Sequence, residues 1–254
     1  GTEPNSLFDE ARPTSPEIEA RVRAAWQSAQ DGAKARGATI YNGRLIRLFE
    51  ARSARNSLQL TLGRTSFAEL LGTNLMHAKE TLDQGRGELS NAVGISAAVS
   101  TRDHALVFGR RSGAVAFHAG YLHSIGGLLE EDDRGAGGVV DIFEAMRREV
   151  REELQITAGE IREIKLIALV RDREIMQQEF VFDVTLSVSS RDLESRFDPS
   201  AADQEHVRLE SVFDEPDMAI PFIRRATPVA PVAEAALLLH GRRVWGEEWY
   251  EQTC

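Results

Sequence analysis

Cysteine is almost missing from this chain. Its 254 residues contain one, Cys254, so no disulfide can close within the chain and a reducing, cytoplasmic setting is expected. Apolar runs of membrane-spanning length are also missing, as is an apolar stretch near the start, so neither a spanning helix nor a signal peptide is expected. Gly1 in place of Met reads as a trimmed or processed start. Positive charge is in deficit, with 30 Lys and Arg against 40 Asp and Glu, a net charge of −10. A general nucleic-acid binder needs a basic surface to displace counterions, so nucleic acid is excluded as an expected partner, and the missing apolar runs exclude the membrane. The six histidines (His77, His104, His118, His123, His206 and His240) lack the close pairing of a zinc site. There is no Gly-x-Ser-x-Gly elbow, no phosphate-cradling Walker A loop, no internal repeat and no heptad pattern.

What is present can fold. At 42% hydrophobic residues the chain can bury a sizeable core. Residues 1–16 are polar with three prolines and read as a mobile lead-in. Helix formers then run from Pro16 to about Ala35, with Ser15 placed to cap and Pro16 at the first helical position. Two β-rich runs, near 39–50 and 56–62, precede a short helical stretch near 66–71, and a polar stretch follows at Asp83–Gly87. These features predict a small α+β subdomain over 1–90 and a larger domain over 91–254. In the latter, strands are expected near 92–100 and 105–110, separated by the turn Thr101-Arg-Asp103. Strand 179–188 alternates, with Phe180, Phe182, Val184, Leu186 and Val188 directed to the core. A last helix is expected over 231–240, ending before Gly241. The class implied is α/β (α+β) with a mixed sheet.

The chemistry concentrates at 148–153, which reads Arg-Glu-Val-Arg-Glu-Glu. On a helix over 141–154, Glu149, Glu152 and Glu153 share one face, while Phe143, Met146, Val150 and Leu154 recur on another. Three crowded carboxylates repel one another unless a cation intervenes, and hard divalent ions accept oxygen ligands that substrate phosphates can complete. Taken alone, the same helix reads first as a solvated acidic face held by Arg147, Arg148 and Arg151. Upstream, His123-Ser-Ile-Gly-Gly-Leu-Leu-Glu130 is a short apolar segment entering a Gly-Gly turn. Paired glycines let main chain approach a ligand closely, although an ordinary turn after a strand has the same composition.

Together these pieces resemble the Nudix box, Gly-x5-Glu-x7-Arg-Glu-U-x-Glu-Glu-x-Gly-U, where U is a bulky aliphatic residue. Arg148, Glu149, Val150, Glu152, Glu153 and Ile156 match its second half in register. The first half departs, because Gly127 lies seven residues too far upstream and an acidic, Gly-rich insertion, Glu131–Gly138, follows Glu130. Val140 stands where the family has a glutamate, with Asp141 beside it, and Gln155 replaces the late glycine. Further short stretches are similar to the Nudix branch that includes UDP-sugar pyrophosphatases: Ile40–Gly43, Leu60–Gly63, Phe67 with Leu71-Gly-Thr-Asn74, Asp141-Ile-Phe143 and Gln178-Glu-Phe180.

The resemblance implies a Nudix-type α/β/α sandwich with a mixed sheet over 91–254, and the small N-terminal subdomain before it. It implies Mg2+ or Mn2+ held by Glu149, Glu152 and Glu153 with a carbonyl from the Gly126–Gly127 region. It also implies a small-molecule nucleotide sugar as substrate, UDP-glucose being split to UMP and glucose 1-phosphate. Glu179, at the start of its strand, is the candidate for a further carboxylate that completes the ion site or takes the water's proton, with an exposed strand-end glutamate as the other reading. Arg110 or Arg111 could bind phosphate bidentately, or both could be surface arginines. His123, just before the Gly-Gly turn, could touch substrate, although a structural role is the commoner one for such a histidine, and Asn74 completes the substrate-binding candidates. Residues 37–75 are expected to help form the pocket. ADP-ribose or a dinucleotide is the other hydrolase reading, and a non-catalytic nucleotide-sugar sensor is the alternative outside catalysis.

Overall fold

The computed structural model describes residues 7–8, 12–35, 37, 39–54, 57–113, 115, 117–135, 139–201 and 204–254. The chain divides into two compact units. The first comprises residues 1–94, 128–145 and 171–179, and the second comprises 95–127, 146–170 and 180–254. No helix among the described residues is long and apolar enough to cross a membrane.

In the first unit, helix α1 (Pro16–Ala35) starts as its sequence requires. The Ser15 hydroxyl accepts the Ile18 N–H at 3.2 Å, and Pro16, which has no N–H to satisfy, takes the first helical position. The strands form a three-stranded sheet. β1 (Leu7–Phe8) runs parallel to β3 (Ser57–Ser66), and β2 (Arg44–Ala54) runs antiparallel to it. Helix α2 (Phe67–Leu70) continues into a π-helical turn over Leu71–Leu75, and α3 (Ala78–Leu82) follows. Ile18 and Val22 of α1 pack on Ala68, with Trp26 edge-on to Phe67. Gly72 lies directly against the Val22 backbone, so a side chain there would force α1 away.

The lead-in departs from expectation. Residues 1–6 and 9–11 lie outside the described residues, but Arg12 is buried and fixed. Its guanidinium bonds Glu19 at 2.7 Å, Glu69 at 3.1 Å and the Glu88 carbonyl at 2.8 Å, which ties this stretch to three places in the unit. The acidic insertion is partly described: Glu131–Asp133 form a 3-10 turn, Glu131 meets Arg64 at 2.8 Å, and Arg134 bridges to Val140. Residues 136–138 of the insertion lie outside the described residues.

A seven-stranded sheet carries the remaining strands. These are β4 (Val93–Ser100), β5 (Ala105–Arg111), β6 (Leu122–His123), β7 (Ile125–Leu128), β8 (Ile161–Arg171), β9 (Gln178–Leu186) and β10 (His206–Phe213). The order is β10-β5-β4-β9-β8, with β6 on β5 and β7 on β4. Helix α4 (Ile142–Leu154) starts where Asp141 accepts the N–H groups of Phe143 and Glu144, and α5 (Ser190–Arg196) has Ser189 as its N-cap. Helices α6 (Pro216–Arg225) and α7 (Pro231–Val244) bury Ala219, Ile223, Ala233 and Leu237 against Leu106, Phe108 and Leu122. The mixed α/β class expected from the sequence is the class observed.

Three details differ. β9 stops at Leu186, and both of its faces are buried, because Val181 packs on Ala98 and on Ala236 of α7 while Asp183 is also enclosed. A strand between β4 and β8, covered on both sides, loses the one-sided pattern its alternation suggests. Gly241 does not end the last long helix. α7 runs through it to Val244, and the missing side chain makes room for the Trp245 ring and for Trp249 of α8 (Glu247–Thr253). On α4, Phe143 is partly exposed, and the buried stripe consists of Ile142, Ala145, Met146, Glu149, Val150, Glu153 and Leu154.

Candidate active site

That stripe is the first feature of the site. Glu149 and Glu153, on successive turns of α4, are 8% and 7% exposed, whereas Glu152 turns to solvent. The three carboxylates therefore do not share one face, and two of them lie on the side that also buries Val150 and Leu154. Burial disfavours their charge, and each is further repelled by acidic neighbours. Burial, with Glu152 and Glu205 adding to it, raises Glu149 to about 7 despite Arg148. Burial, then Glu149 and Glu205, pushes Glu153 well above the ordinary glutamate range.

The Gly-Gly turn meets this pair. The Gly126 N–H donates to Glu153 Oε2 at 2.7 Å. Gly126 sits at φ +151°, and a side chain there would drive into the Ile95 carbonyl, so only glycine fits. On Gly127 a Cβ would stand 2.5 Å from Glu149 Oε1, so the missing side chain is what lets that carboxylate come up to the turn. Arg148 Nη1 bonds Glu149 Oε1 at 2.8 Å and Glu152 Oε2 at 3.2 Å. Beyond the helix, Gln155 has φ +53°, the left-handed conformation for which the family pattern carries glycine. Its side-chain amide bonds the Asp198 carbonyl at 2.7 Å and accepts the Asp198 N–H at 2.9 Å, which compensates for the backbone strain.

The donors fit a hard divalent cation in chemistry. They are carboxylate oxygens, two of them buried with more negative charge around them than the local arginines neutralise. Among the described residues, no three His, Cys, Asp or Glu side chains converge on one point as they stand. Arg148 and Gly126 hold the carboxylates instead.

The remaining candidates separate. Arg110 is fully employed within the second unit: it meets Glu210 at 2.8 and 3.3 Å and donates to the carbonyls of Gly120, Ala226 and Pro228. Arg111 is different. One of its nitrogens bonds Glu205 at 2.8 Å, and its Nε is buried with no hydrogen-bond partner among the described residues. His123 donates from Nδ1 to the Ser124 carbonyl at 2.8 Å, and burial, helped by Arg111, lowers it to about 3. Asn74 is buried in the first unit, where it donates to the Ile175 carbonyl at 2.9 Å and accepts the Asn91 N–H at 3.2 Å. Glu179 belongs to the first unit too, its carboxyl packed against Gly94.

Three residues near Glu153 were not singled out from the sequence: Gln204, Glu205 and His206. Gln204 Nε2 donates to the Glu153 carbonyl at 3.1 Å, and His206 is 1% exposed with Nδ1 3.4 Å from Glu153 Oε1. Burial, then Arg111, lowers His206 to about 3, so its ring is neutral. More than fifty positions separate them from Glu153, and His206 is the cross-strand partner of Arg111.

No family model matches the chain. It is 24% identical over 248 residues to the mouse uridine diphosphate glucose pyrophosphatase NUDT22, covering 87% of this chain and 79% of that protein. Solved structures similar to it include a NUDIX hydrolase from Nitrosomonas europaea, with a TM-score of 0.41 at 18% identity over 60% of this chain and 89% of that one. A MutT NUDIX hydrolase from Burkholderia pseudomallei gives a TM-score of 0.37 at 21% identity over 57% and 95%. The chain thus resembles the Nudix hydrolase superfamily and, within it, the UDP-sugar pyrophosphatase branch.

Proposed function

We propose that this protein hydrolyses the diphosphate bond of a nucleoside diphosphate sugar, with UDP-glucose as substrate and UMP and glucose 1-phosphate as products. One observation carries the reading. Two buried glutamates of α4 meet a Gly-Gly turn in a chain whose likeness to a UDP-glucose pyrophosphatase extends over 248 residues. Glu149 and Glu153, with Glu152 and a carbonyl of Gly127, would hold Mg2+ or Mn2+. When bound, the ion would neutralise the diphosphate oxygens and acidify a water molecule.

The chain's own residues prepare that site. The Gly126 N–H fixes Oε2 of Glu153. Arg148 bridges Glu149 and Glu152 and limits their repulsion. Arg111, partly exposed beside its pair with Glu205, would take a phosphate oxygen. Arg110 would act only as a brace for the 226–228 turn.

A substrate panel with and without Mg2+, with the products identified, tests the reading. UMP released from UDP-glucose only when metal is present is the expected result. Faster turnover of ADP-ribose than of UDP-glucose at equal subsaturating concentrations would overturn the sugar specificity but leave the hydrolase. Tight binding of UDP-glucose with no hydrolysis would make the protein a sensor.

A further inference from the structure

We infer that His206 is a positioning residue for Glu153, its Nδ1–H holding Oε1 of that carboxylate in the orientation that accepts a divalent cation. The inference rests on the metal-holding role proposed for Glu153. It goes beyond the Arg-Glu-x-x-Glu-Glu helix, because His206 lies on a different strand and belongs to none of the matched stretches.

The geometry converges on one carboxylate. Glu153 Oε2 is taken by the Gly126 N–H at 2.7 Å, and Oε1 faces His206 Nδ1 at 3.4 Å. Among the described residues neither ring nitrogen of His206 has a hydrogen-bond partner, although the residue is 1% exposed. A buried N–H needs an acceptor, and the carboxyl oxygen beside Nδ1 is Glu153 Oε1 at 3.4 Å, which favours the tautomer carrying its proton there. The surroundings fix the ring. Gly109 leaves the space in which it lies, and any side chain at 109 would collide with it. The ladder between β10 and β5 shifts register between His206 and Arg208. The main chain is fixed as well: the Gln204 side chain accepts the His206 N–H at 3.0 Å and donates to the Glu153 carbonyl at 3.1 Å. A neutral donor suits the task better than arginine would, because it orients the carboxylate without cancelling the charge a cation needs.

Mn2+ titrations of the full chain, read by electron paramagnetic resonance, test the inference in His206→Leu, His206→Gln, His206→Asn and Glu153→Gln. An Asn amide can place its N–H near the Nδ1 position, whereas a Gln amide reaches the Nε2 position. Leu and Gln should weaken Mn2+ binding by roughly 10–100-fold, with kcat on UDP-glucose falling and KM little changed, and Asn should restore most of the affinity. Wild-type Mn2+ affinity in His206→Leu, or Asn no better than Leu, overturns the inference. If Glu153→Gln itself binds Mn2+ like the wild type, the metal role of Glu153 is what fails. Should the variants not fold, 15N correlation spectra of the wild-type imidazoles decide. A proton on Nδ1 of His206, with a resonance that moves on adding Mg2+, supports the inference. A proton on Nε2 and no response to Mg2+ overturns it.

Discussion

Glu149, Glu152 and Glu153 are chemically identical, and their surroundings separate them. Only Glu152 is solvated, so its loss should matter least. Changing Glu149 or Glu153 to Gln removes a buried ionisable carboxyl while keeping shape, and kcat should fall by about 10²-fold or more. The fold should hold or gain stability, because the charge removed is one that burial already disfavours. Steady-state kinetics at saturating Mg2+ alongside thermal melts would show this, and near-normal turnover in both variants would leave the helix with no catalytic part. Gly127→Ala makes a subtler prediction. Its new methyl would occupy the space of the Glu149 carboxylate, so metal affinity should drop while the melting temperature barely changes. A matched loss of both would point to general disruption of the turn.

At the scale of elements, α7 shows how a packing constraint can be mistaken for a stop signal. Gly241 carries no side chain because Trp245 and Trp249 lie where one would be, so Gly241→Leu should overpack this corner and cost about 1–3 kcal/mol in urea unfolding. The same helix is held by an ionic clamp. His240 donates through Nδ1 to Asp183 at 2.8 Å and through Nε2 to Asp214 at 3.1 Å, while Arg243 pairs with Asp183 and Trp245 Nε1 reaches Asp214 at 3.0 Å. Burial opposes the imidazolium, but the bonds to both carboxylates outweigh it and raise His240 to about 9. The folded state thus keeps a proton that the unfolded chain, near 6.5, releases. The stabilisation is complete below pH 6.5 and fades as pH rises through 9, amounting to about 3 kcal/mol for a shift of this size. Urea midpoints measured from pH 6 to 10 should fall in the wild type and stay flatter in His240→Gln. A flat wild-type curve would mean that His240 is neutral.

For the whole molecule, what could be read in advance follows from how local each cause is. Helix α1, the β4–β5 turn and the Arg-Glu-x-x-Glu-Glu helix depend on neighbours within a few residues, and their bounds in the sequence lie close to those observed. His206, the two-sided burial of β9 and the buried brace around Arg12 depend on partners far along the chain, which no periodicity reveals. The Leu71–Leu75 stretch shows the same limit: its Thr73 and Asn74 bind main chain at Glu69, Ser90, Ile175 and Asn91. The first unit is also discontinuous, and this decides what a truncation would do. The Ile46 N–H bonds the Leu129 carbonyl at 2.8 Å, Arg64 holds Glu131 at 2.8 Å, and Asn74 donates to the Ile175 carbonyl at 2.9 Å. Segments 128–145 and 171–179 therefore depend on residues 39–91 for their hydrogen bonds and for apolar cover, as where Leu128 packs on Leu45 and Leu70. Deleting residues 1–90 would strip those partners from chain that remains, leaving backbone groups and apolar side chains unpaired. The truncated protein should lose cooperative unfolding and bind a hydrophobic dye. A truncated chain that melts cooperatively and keeps the full-length substrate profile would show that residues 1–90 are a passenger.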